Sequence, residues 1–289
     1  MTTLASSRTP NQPMVHPGPV AARRVDAVGV MASDLVITLE PGQEVEATLC
    51  AAVAAAGYDG AWVDVSGLHA DPFAFVMPAA SPDGTRVAWY SDTYAPEGET
   101  HVDAGGITVG HYNGGSFTHC HGLWTSQSGT TLGHMLAPVC TVSRAVSVKA
   151  TGFNGGRFER LPDPETCFEL FRACPTETEV DAPDAVIMTL RPNTDLCGSI
   201  EEVAASYGIS NGEIFGLGSV NGALFRDAAP MNSAITEFII TTGTLTDGKA
   251  SITLSAVDVQ QDIFTGRIEK GDAAVSITAE IILRGHSPE

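Results

Sequence analysis

The chain has 289 residues, of which 43% are hydrophobic and 17% are charged, and its formal net charge is −19. Proteins that bind nucleic acid through its phosphates need clustered Lys and Arg. The longest basic run here is Arg23-Arg24, so the charge balance argues against a nucleic-acid partner. No apolar run reaches the ~18 residues that span a membrane. The six cysteines form no Cys-x-x-Cys pair, which predicts reduced thiols and a cytoplasmic protein.

The first predicted elements are an N-terminal arm, residues 1–24, and a strand that opens a repeated pattern. The arm is rich in Pro, Ser and Thr and has no basic-then-apolar signal pattern, so we expect it to be partly ordered. The run Val36-Ile-Thr-Leu-Glu-Pro has a counterpart 151 residues later, Ile187-Met-Thr-Leu-Arg-Pro, and Gly57 and Gly208 keep the same spacing. This constant spacing predicts two copies of one fold.

Each copy has the pattern of a strand, a Pro-containing turn, an Ala-rich helix that ends at a glycine, and several short alternating strands. One helix followed by strands predicts an α+β class: two tandem domains, each a mostly antiparallel sheet packed with one main helix. The predicted domains are residues 25–152 and 185–285. An ordered linker, residues 153–184, joins them and contains a short helix capped near Asp163.

A histidine cluster lies in the first copy, where His119 and His121 flank Cys120 and His134 follows a stretch rich in Ser, Gly and Thr. On a strand, residues i and i+2 point to the same face, and the stretch is typical of a hairpin turn that places His134 beside this pair. Three imidazoles around an open fourth position suit a catalytic metal site. The alternative is three structural histidines. Imidazole suits several divalent transition metals, of which zinc is the default here.

Further residues are candidates for chemistry around such a metal. Glu165 is a candidate general base, with helix capping as the alternative. His111 is a candidate fourth ligand or acid/base, and His16 a candidate that the arm carries into the site; an exposed turn and a disordered tail are the alternatives. Substrate-binding candidates are the guanidinium groups of Arg226 and Arg267 and the aromatic rings of Tyr90 and Trp124. Solvated surface for Arg226 and core packing for the aromatic residues remain open.

The order strand, Pro-Gly, helix, Gly and strand, followed by Asn113 to Gly122 and Gly133-His-Met-Leu136, resembles the PPC family (plants and prokaryotes conserved, also called PCC or DUF296). That family's signature is His-x-His followed by Gly-Gly-His-Leu, and Leu132 replaces the first of those glycines here. The resemblance is to a bacterial tandem-domain subgroup. It implies an α+β domain fold, a homotrimer and a histidine metal site. Plant members bind DNA through an AT-hook, whose Arg-Gly-Arg core is absent here.

The second copy lacks the three histidines. It has Ser251 to Ser255 where the first copy has His119 to His121, and Arg267 where the first has His134. We expect it to be structural or to line the site, with the Arg267 guanidinium placed where the metal would lie. The predicted function is a metal-dependent hydrolase or lyase that acts on a small carboxylate or carbonyl compound. The alternatives are a non-catalytic metal or small-molecule binding protein and, by family analogy, a DNA-associated regulator.

Overall fold

The computed structural model describes residues 10–286, which form eighteen strands and two α-helices. The strands of the N-terminal half are β1 (Val25–Leu39), β2 (Gly60–Asp64), β3 (His69–Ala70), β4 (Phe75–Val76), β5 (Pro78–Ala79), β6 (Trp89–Tyr90), β7 (Thr100–Tyr112), β8 (Gly115–Ser126), β9 (Gly129–Met135), β10 (Val146–Asn154), β11 (Gly156–Asp163) and β12 (Phe168–Pro175). Those of the C-terminal half are β13 (Ala185–Leu190), β14 (Gly212–Val220), β15 (Thr236–Thr246), β16 (Lys249–Asp258), β17 (Ile263–Ile268) and β18 (Val275–Gly285). The helices are α1 (Val45–Ala55) and α2 (Leu196–Ser206), and Ala137–Val139 form a 3₁₀ turn.

The predicted α+β class was wrong, because the described chain is mostly β. Each helix has only 11 residues, whereas β1, β7 and β8 have 15, 13 and 12 residues. Tight turns make such long strands possible. Asn113-Gly114 joins β7 to β8, and all four turn residues of this and the matching Asp247-Gly248 have positive φ, as a two-residue hairpin turn requires.

Sixteen strands of the described chain form one sheet whose order is symmetrical about the antiparallel β1–β13 pair. Beyond β1 lie β10, β2, β7, β8 and β9, and beyond β13 lie β18, β14, β15, β16 and β17. This matching order agrees with the internal repeat in the sequence. Strands of both predicted domains belong to this one sheet, so the sheet itself marks no boundary between them. The domain limits at residues 25–152 and 185–285 therefore remain predictions.

The hydrophobic core has three clusters, one beneath each helix and one between the halves. Leu49 of α1 and Ile200 of α2 belong to the first two clusters and are fully buried. The third cluster combines residues of both halves, including Phe153, Ile187 and Ile239. Burial of apolar surface from both halves stabilises their association, so the two copies are fixed against each other.

The predicted linker does not contain the expected short helix, because its residues form the β11–β12 hairpin. Asp163 does accept hydrogen bonds from the Thr166 amide and hydroxyl, but it holds a turn rather than a helix. This hairpin lies beside β7, where Glu159 pairs with His111. None of the helices within residues 10–286 is long and apolar enough to cross a membrane.

From residue 10 onward, the N-terminal arm lies against the C-terminal half. Residues 1–9 lie outside the described chain. The Met14 amide donates to Asn193 Oδ1 at 2.7 Å, and Asn193 Nδ2 donates to the Met14 carbonyl at 2.9 Å. The Ala274 amide donates to Asn11 Oδ1 at 2.7 Å. The arm is therefore fastened by backbone and amide hydrogen bonds.

Candidate metal centre

The β8–β9 hairpin brings the three histidines of the first copy together. His121 and His134 are direct cross-strand partners, and His119 precedes His121 by two residues and so shares its face. One possible ligand atom from each of the three lies within 4.8 Å of the others. The ring centroids are 4.7 to 5.5 Å apart. The hairpin expected from sequence is present, and it places all three imidazoles at one point.

Hydrogen bonds from the C-terminal half orient two of these rings. His121 Nδ1 donates to the Phe238 carbonyl at 2.9 Å, because a carbonyl can only accept. His119 Nδ1 lies 2.6 Å from Oε1 of Glu280. A proton on Nδ1 leaves the Nε2 lone pair free to bind a metal, and metal-binding histidines usually have such an outer partner. His134 Nδ1 is buried and has no hydrogen-bond partner in the described chain.

Burial keeps two of the rings in the form that binds metals. Desolvation, and then the neighbouring His119, lower the pKa of His121 well below its usual value. Desolvation, followed by His119, His121 and Arg160, lowers the pKa of His134 in the same way. Both imidazoles are therefore neutral at pH 7, as a metal ligand must be.

Two buried carboxylates of the C-terminal half face the histidines. Glu237 is 6% exposed, and its Oε1 lies 4.0 Å from His121 Nε2. Its other oxygen has no hydrogen-bond partner among residues 10–286, and neither has Oε2 of Glu280. Burial raises the pKa of Glu237 to about 8. An unsatisfied buried carboxyl is costly, and a cation between it and the histidines would compensate that cost.

Sequence reasoning missed both carboxylates. Glu237 begins the run Glu237-Phe-Ile-Ile, and Glu280 stands in Ala279-Glu-Ile-Ile-Leu, both on buried strands. A single charged residue inside an apolar strand conflicts with the local pattern. That conflict is the signal that could have found them, although it does not show which histidines they face.

A cavity of about 810 Å³ opens above the histidines. His119, His134 and Glu280 line it, together with residues that include Trp89, Tyr90, Phe117, Phe168, Arg86 and Arg160. Tyr90, a predicted substrate contact, is in this cavity, with its ring 5.4 Å from the ring of His134. The histidine cluster therefore has an open side that a small molecule can reach.

These observations fit a metal ion. The donor set consists of imidazoles, two of which have an outer hydrogen-bond acceptor, and the C-terminal half adds carboxylate oxygens. Imidazole and carboxylate are both ligands of divalent transition metals. Three protein nitrogens beside a cavity correspond to an open site rather than a closed structural one.

The predicted catalytic residues outside the cluster lie elsewhere. Glu165 binds Arg24 with oxygen–nitrogen distances of 2.6 and 3.0 Å and accepts from the Ala21 amide. His16 is buried, with Nε2 2.9 Å from the Ser276 carbonyl. His111 pairs with Ser116 across β7 and β8. In the described chain, Glu165 and His16 hold the N-terminal arm through these hydrogen bonds, and His111 is part of the β7–β8 pair. None of the three lines the cavity.

The remaining substrate candidates also lie away from the cavity. Trp124 is 1% exposed and packs edge-on against Phe73 and Phe75, with centroids 5.0 Å apart in each case. Arg226 donates to Asp272 at 2.6 Å. Arg267 is paired with Glu269.

The strand register does not place Arg267 where the sequence comparison predicted it. Counted from the matching turns Asn113-Gly114 and Asp247-Gly248, Ser255 corresponds to His121, and its cross-strand partner is Thr265, as His134 is the partner of His121. Arg267 instead pairs with Thr253, and its guanidinium is held at Glu269. It does not enter the histidine centre.

The sheet and the cluster together define a β-rich protein of two similar halves with a three-histidine candidate metal centre. Residues 177–286, less than half of the chain, match the model of the Plants and Prokaryotes Conserved (PCC) domain, so the C-terminal half is similar to that family. The resemblance inferred from sequence is thereby confirmed. The match falls on the copy without histidines, whereas the signature motif lies in the other copy.

Several solved structures are similar to parts of this chain. A metal-containing protein from Archaeoglobus fulgidus has 15% identity and a TM-score of 0.38, over 50% of this chain and 94% of its own. A plant- and prokaryote-conserved protein from Pyrococcus horikoshii has 13% identity and a TM-score of 0.40, over 56% of this chain and 100% of its own. A candidate DNA-binding protein from Ralstonia eutropha has 16% identity and a TM-score of 0.37, over 49% and 90%. No curated protein matches the chain. At these scores the likenesses carry no functional conclusion.

Proposed function

We propose that the chain is a metal-dependent hydrolase or lyase that acts on a small carboxylate or carbonyl compound. His119, His121 and His134 would hold a divalent transition metal, with zinc as the expected ion. Such an ion supplies Lewis-acid chemistry, which polarises a carbonyl or stabilises developing negative charge. The residues around it hold the histidine rings and shape the space in which a substrate binds.

One observation carries this proposal: three histidines of the first half meet beside a cavity that two of them, His119 and His134, line, and groups of the second half orient two of the three rings. Structural histidines would not need an adjoining cavity of about 810 Å³. They would also not leave a carboxyl oxygen of Glu237 and one of Glu280 buried without partners in the described chain. An open metal centre accounts for all three features.

Metal analysis tests the proposal directly. The purified protein is analysed by mass spectrometry for metal content, beside a variant with all three histidines changed to Ala and a control, His101→Gln. His101 is half-exposed and bonded to Asp103. We expect about one transition ion per chain in the wild type and the control, and none in the triple variant. No metal in any of them, even after incubation with divalent ions, would contradict the proposal.

Turnover separates the enzyme from a binding protein. The metal-loaded chain is assayed against a panel of esters, lactones and keto acids, with the triple variant as the blank. Turnover that disappears in the variant supports hydrolase or lyase chemistry. Tight metal binding with no turnover of any compound would favour the non-catalytic binding protein instead.

The homotrimer implied by the family resemblance is part of the same proposal. Light scattering coupled to size exclusion should give a mass near three times that of one chain. A mass of 30.1 kDa, that of the single chain, would overturn it.

A further inference from the structure

We propose that the cavity takes an aromatic or other planar carboxylate, whose acid group binds Arg86 and whose ring lies against Trp89 and Tyr90. This inference rests on the proposed function, since it names the substrate class of the same site. Three features carry it: the size of the cavity, its aromatic wall and an arginine without an acidic partner.

The cavity is larger than a compound of a few carbon atoms needs. Its volume of about 810 Å³ lies near the upper end of the range of about 300–1,000 Å³ in which proteins bind drug-sized ligands. A two- or three-carbon acid at the histidines would leave most of this space to water. A ring-bearing substrate would fill it and exclude that water.

The wall of the cavity exposes aromatic rings. Trp89 is 38% exposed and Tyr90 is 44% exposed, although both belong to the cavity lining. Phe168 supports this wall, with its ring centroid 5.8 Å from that of Trp89. Large aromatic side chains left open in a concave site favour ligands that bury them, and flat rings do so best.

Arg86 provides the anion contact. Its guanidinium carbon lies 4.7 Å from the centre of the Trp89 ring and 5.5 Å from that of Phe168. Its Nε donates to the Cys167 carbonyl at 2.9 Å, which fixes the plane of the group. A guanidinium held in this way binds a carboxylate with two parallel hydrogen bonds.

The charge environment makes Arg86 distinctive. Acidic residues outnumber basic ones by 34 to 15 in the chain, yet no carboxylate of the described residues lies within ion-pair distance of Arg86. The second arginine of the cavity, Arg160, is already 3.2 Å from Glu169 and stacks on Tyr112 and Phe117. A guanidinium without an acidic partner at an aromatic wall therefore favours an anionic ligand.

Calorimetric titration with three probes tests this inference. The probes are 2-naphthoate, the neutral 2-naphthalenemethanol, and acetate, each titrated into the metal-loaded chain. We expect 2-naphthoate to bind at least tenfold more tightly than either other probe. Arg86→Gln should weaken 2-naphthoate at least tenfold and leave the alcohol unchanged. Arg144→Gln is the matched control, because Arg144 is exposed and paired with Glu99; it should change nothing.

Acetate binding as tightly as 2-naphthoate, or an unchanged affinity in Arg86→Gln, would overturn the inference. If Arg86→Gln does not fold, Arg86→Lys retains the charge but loses the paired hydrogen bonds, and it should still weaken 2-naphthoate relative to the alcohol.

Metal analysis and titration of the same wild-type sample separate this inference from the proposed function. Metal uptake by the wild type with no binding of 2-naphthoate refutes the aromatic carboxylate alone. Binding of 2-naphthoate by a wild-type chain that takes up no metal refutes the metal-dependent function and leaves the anion pocket in place.

Discussion

Glu280 joins the two halves of the chain through one hydrogen bond. It is 1% exposed, and its Oε1 lies 2.6 Å from His119 Nδ1. Glu280→Gln should lower metal affinity about 10–100-fold, the usual effect of losing an outer partner of a metal ligand, because a neutral amide orients the imidazole less strongly. Competition with a fluorescent chelator measures the change.

Glu201 supplies the control for this substitution. It is a buried carboxylate of α2 that pairs with Lys249 at 3.3 Å, away from the histidines. Glu201→Gln should keep the metal affinity of the wild type. An equal loss in both variants would show that general destabilisation, and not the His119 contact, causes the effect.

Because Gly133 has no side chain, the backbone of β4 can pass close to β9 beside His134. A Cβ at this position would lie 2.5 Å from the Val76 carbonyl oxygen, closer than non-bonded atoms tolerate. Because that atom is backbone, β4 or β9 would have to move. Gly133→Ala should therefore cost about 1–3 kcal/mol of unfolding free energy and weaken metal binding. Urea denaturation of the metal-free protein and the chelator titration measure the two effects, and an unchanged pair of values would contradict the argument.

At the scale of elements, the arm depends on the ion pair between Arg24 and Glu165. Burial alone would raise the pKa of Glu165, but hydrogen bonds from Arg24 and the Ala21 amide outweigh it and lower that pKa. Folding therefore favours the ionised carboxylate, and its contribution is present above pH ~4.5 and lost as the pH falls through the lowered value.

Arg24→Gln should lower the free energy of unfolding by about 1–3 kcal/mol at neutral pH, since it removes a charged hydrogen-bond donor. Urea denaturation at pH 7 and pH 3 measures the difference from the wild type, which should shrink at pH 3. Arg23→Gln is the control, because Arg23 is 79% exposed and lies 3.7 Å from Asp26. A difference of equal size at both pH values would argue against a role for the Glu165 charge.

Elements set by neighbouring residues could be predicted from the sequence. The spacing of His119 and His121 and the turn before His134 follow from the period of a strand and from hairpin chemistry. The fold class could not, because short apolar alternations do not show how far a strand extends. Asp163 illustrates this limit: it accepts hydrogen bonds from Thr166 as a helix cap would, but the chain continues as a hairpin.

For the whole molecule, the site could be predicted only in part. The three histidines lie within 16 positions of the sequence, from His119 to His134, whereas Glu237 and Glu280 come from the other half. Their approach depends on the β1–β13 pair and on the core shared between the halves. Such distant contacts leave no periodic pattern in the sequence, and a lone glutamate in an apolar strand does not name its partner.

Metal binding should therefore stabilise the whole chain and not the first half alone. The proposed ligands belong to β8 and β9, but the hydrogen-bond acceptors of His121 and His119 are the Phe238 carbonyl of β15 and Glu280 of β18. A ligand present at 100 times its dissociation constant stabilises the folded state by about 2.7 kcal/mol, which corresponds to a rise of roughly 5 °C in the unfolding midpoint.

Differential scanning calorimetry with and without the metal measures this rise. We expect one transition that moves as a unit, and no shift in the variant with the three histidines changed to Ala. Two transitions, of which only the lower or the upper responds to the metal, would mean that the halves unfold independently. In that case the hydrogen bonds to the Phe238 carbonyl and to Glu280 would not couple the unfolding of the two halves. If they did couple it, the unfolding of either half would break these hydrogen bonds and weaken metal binding.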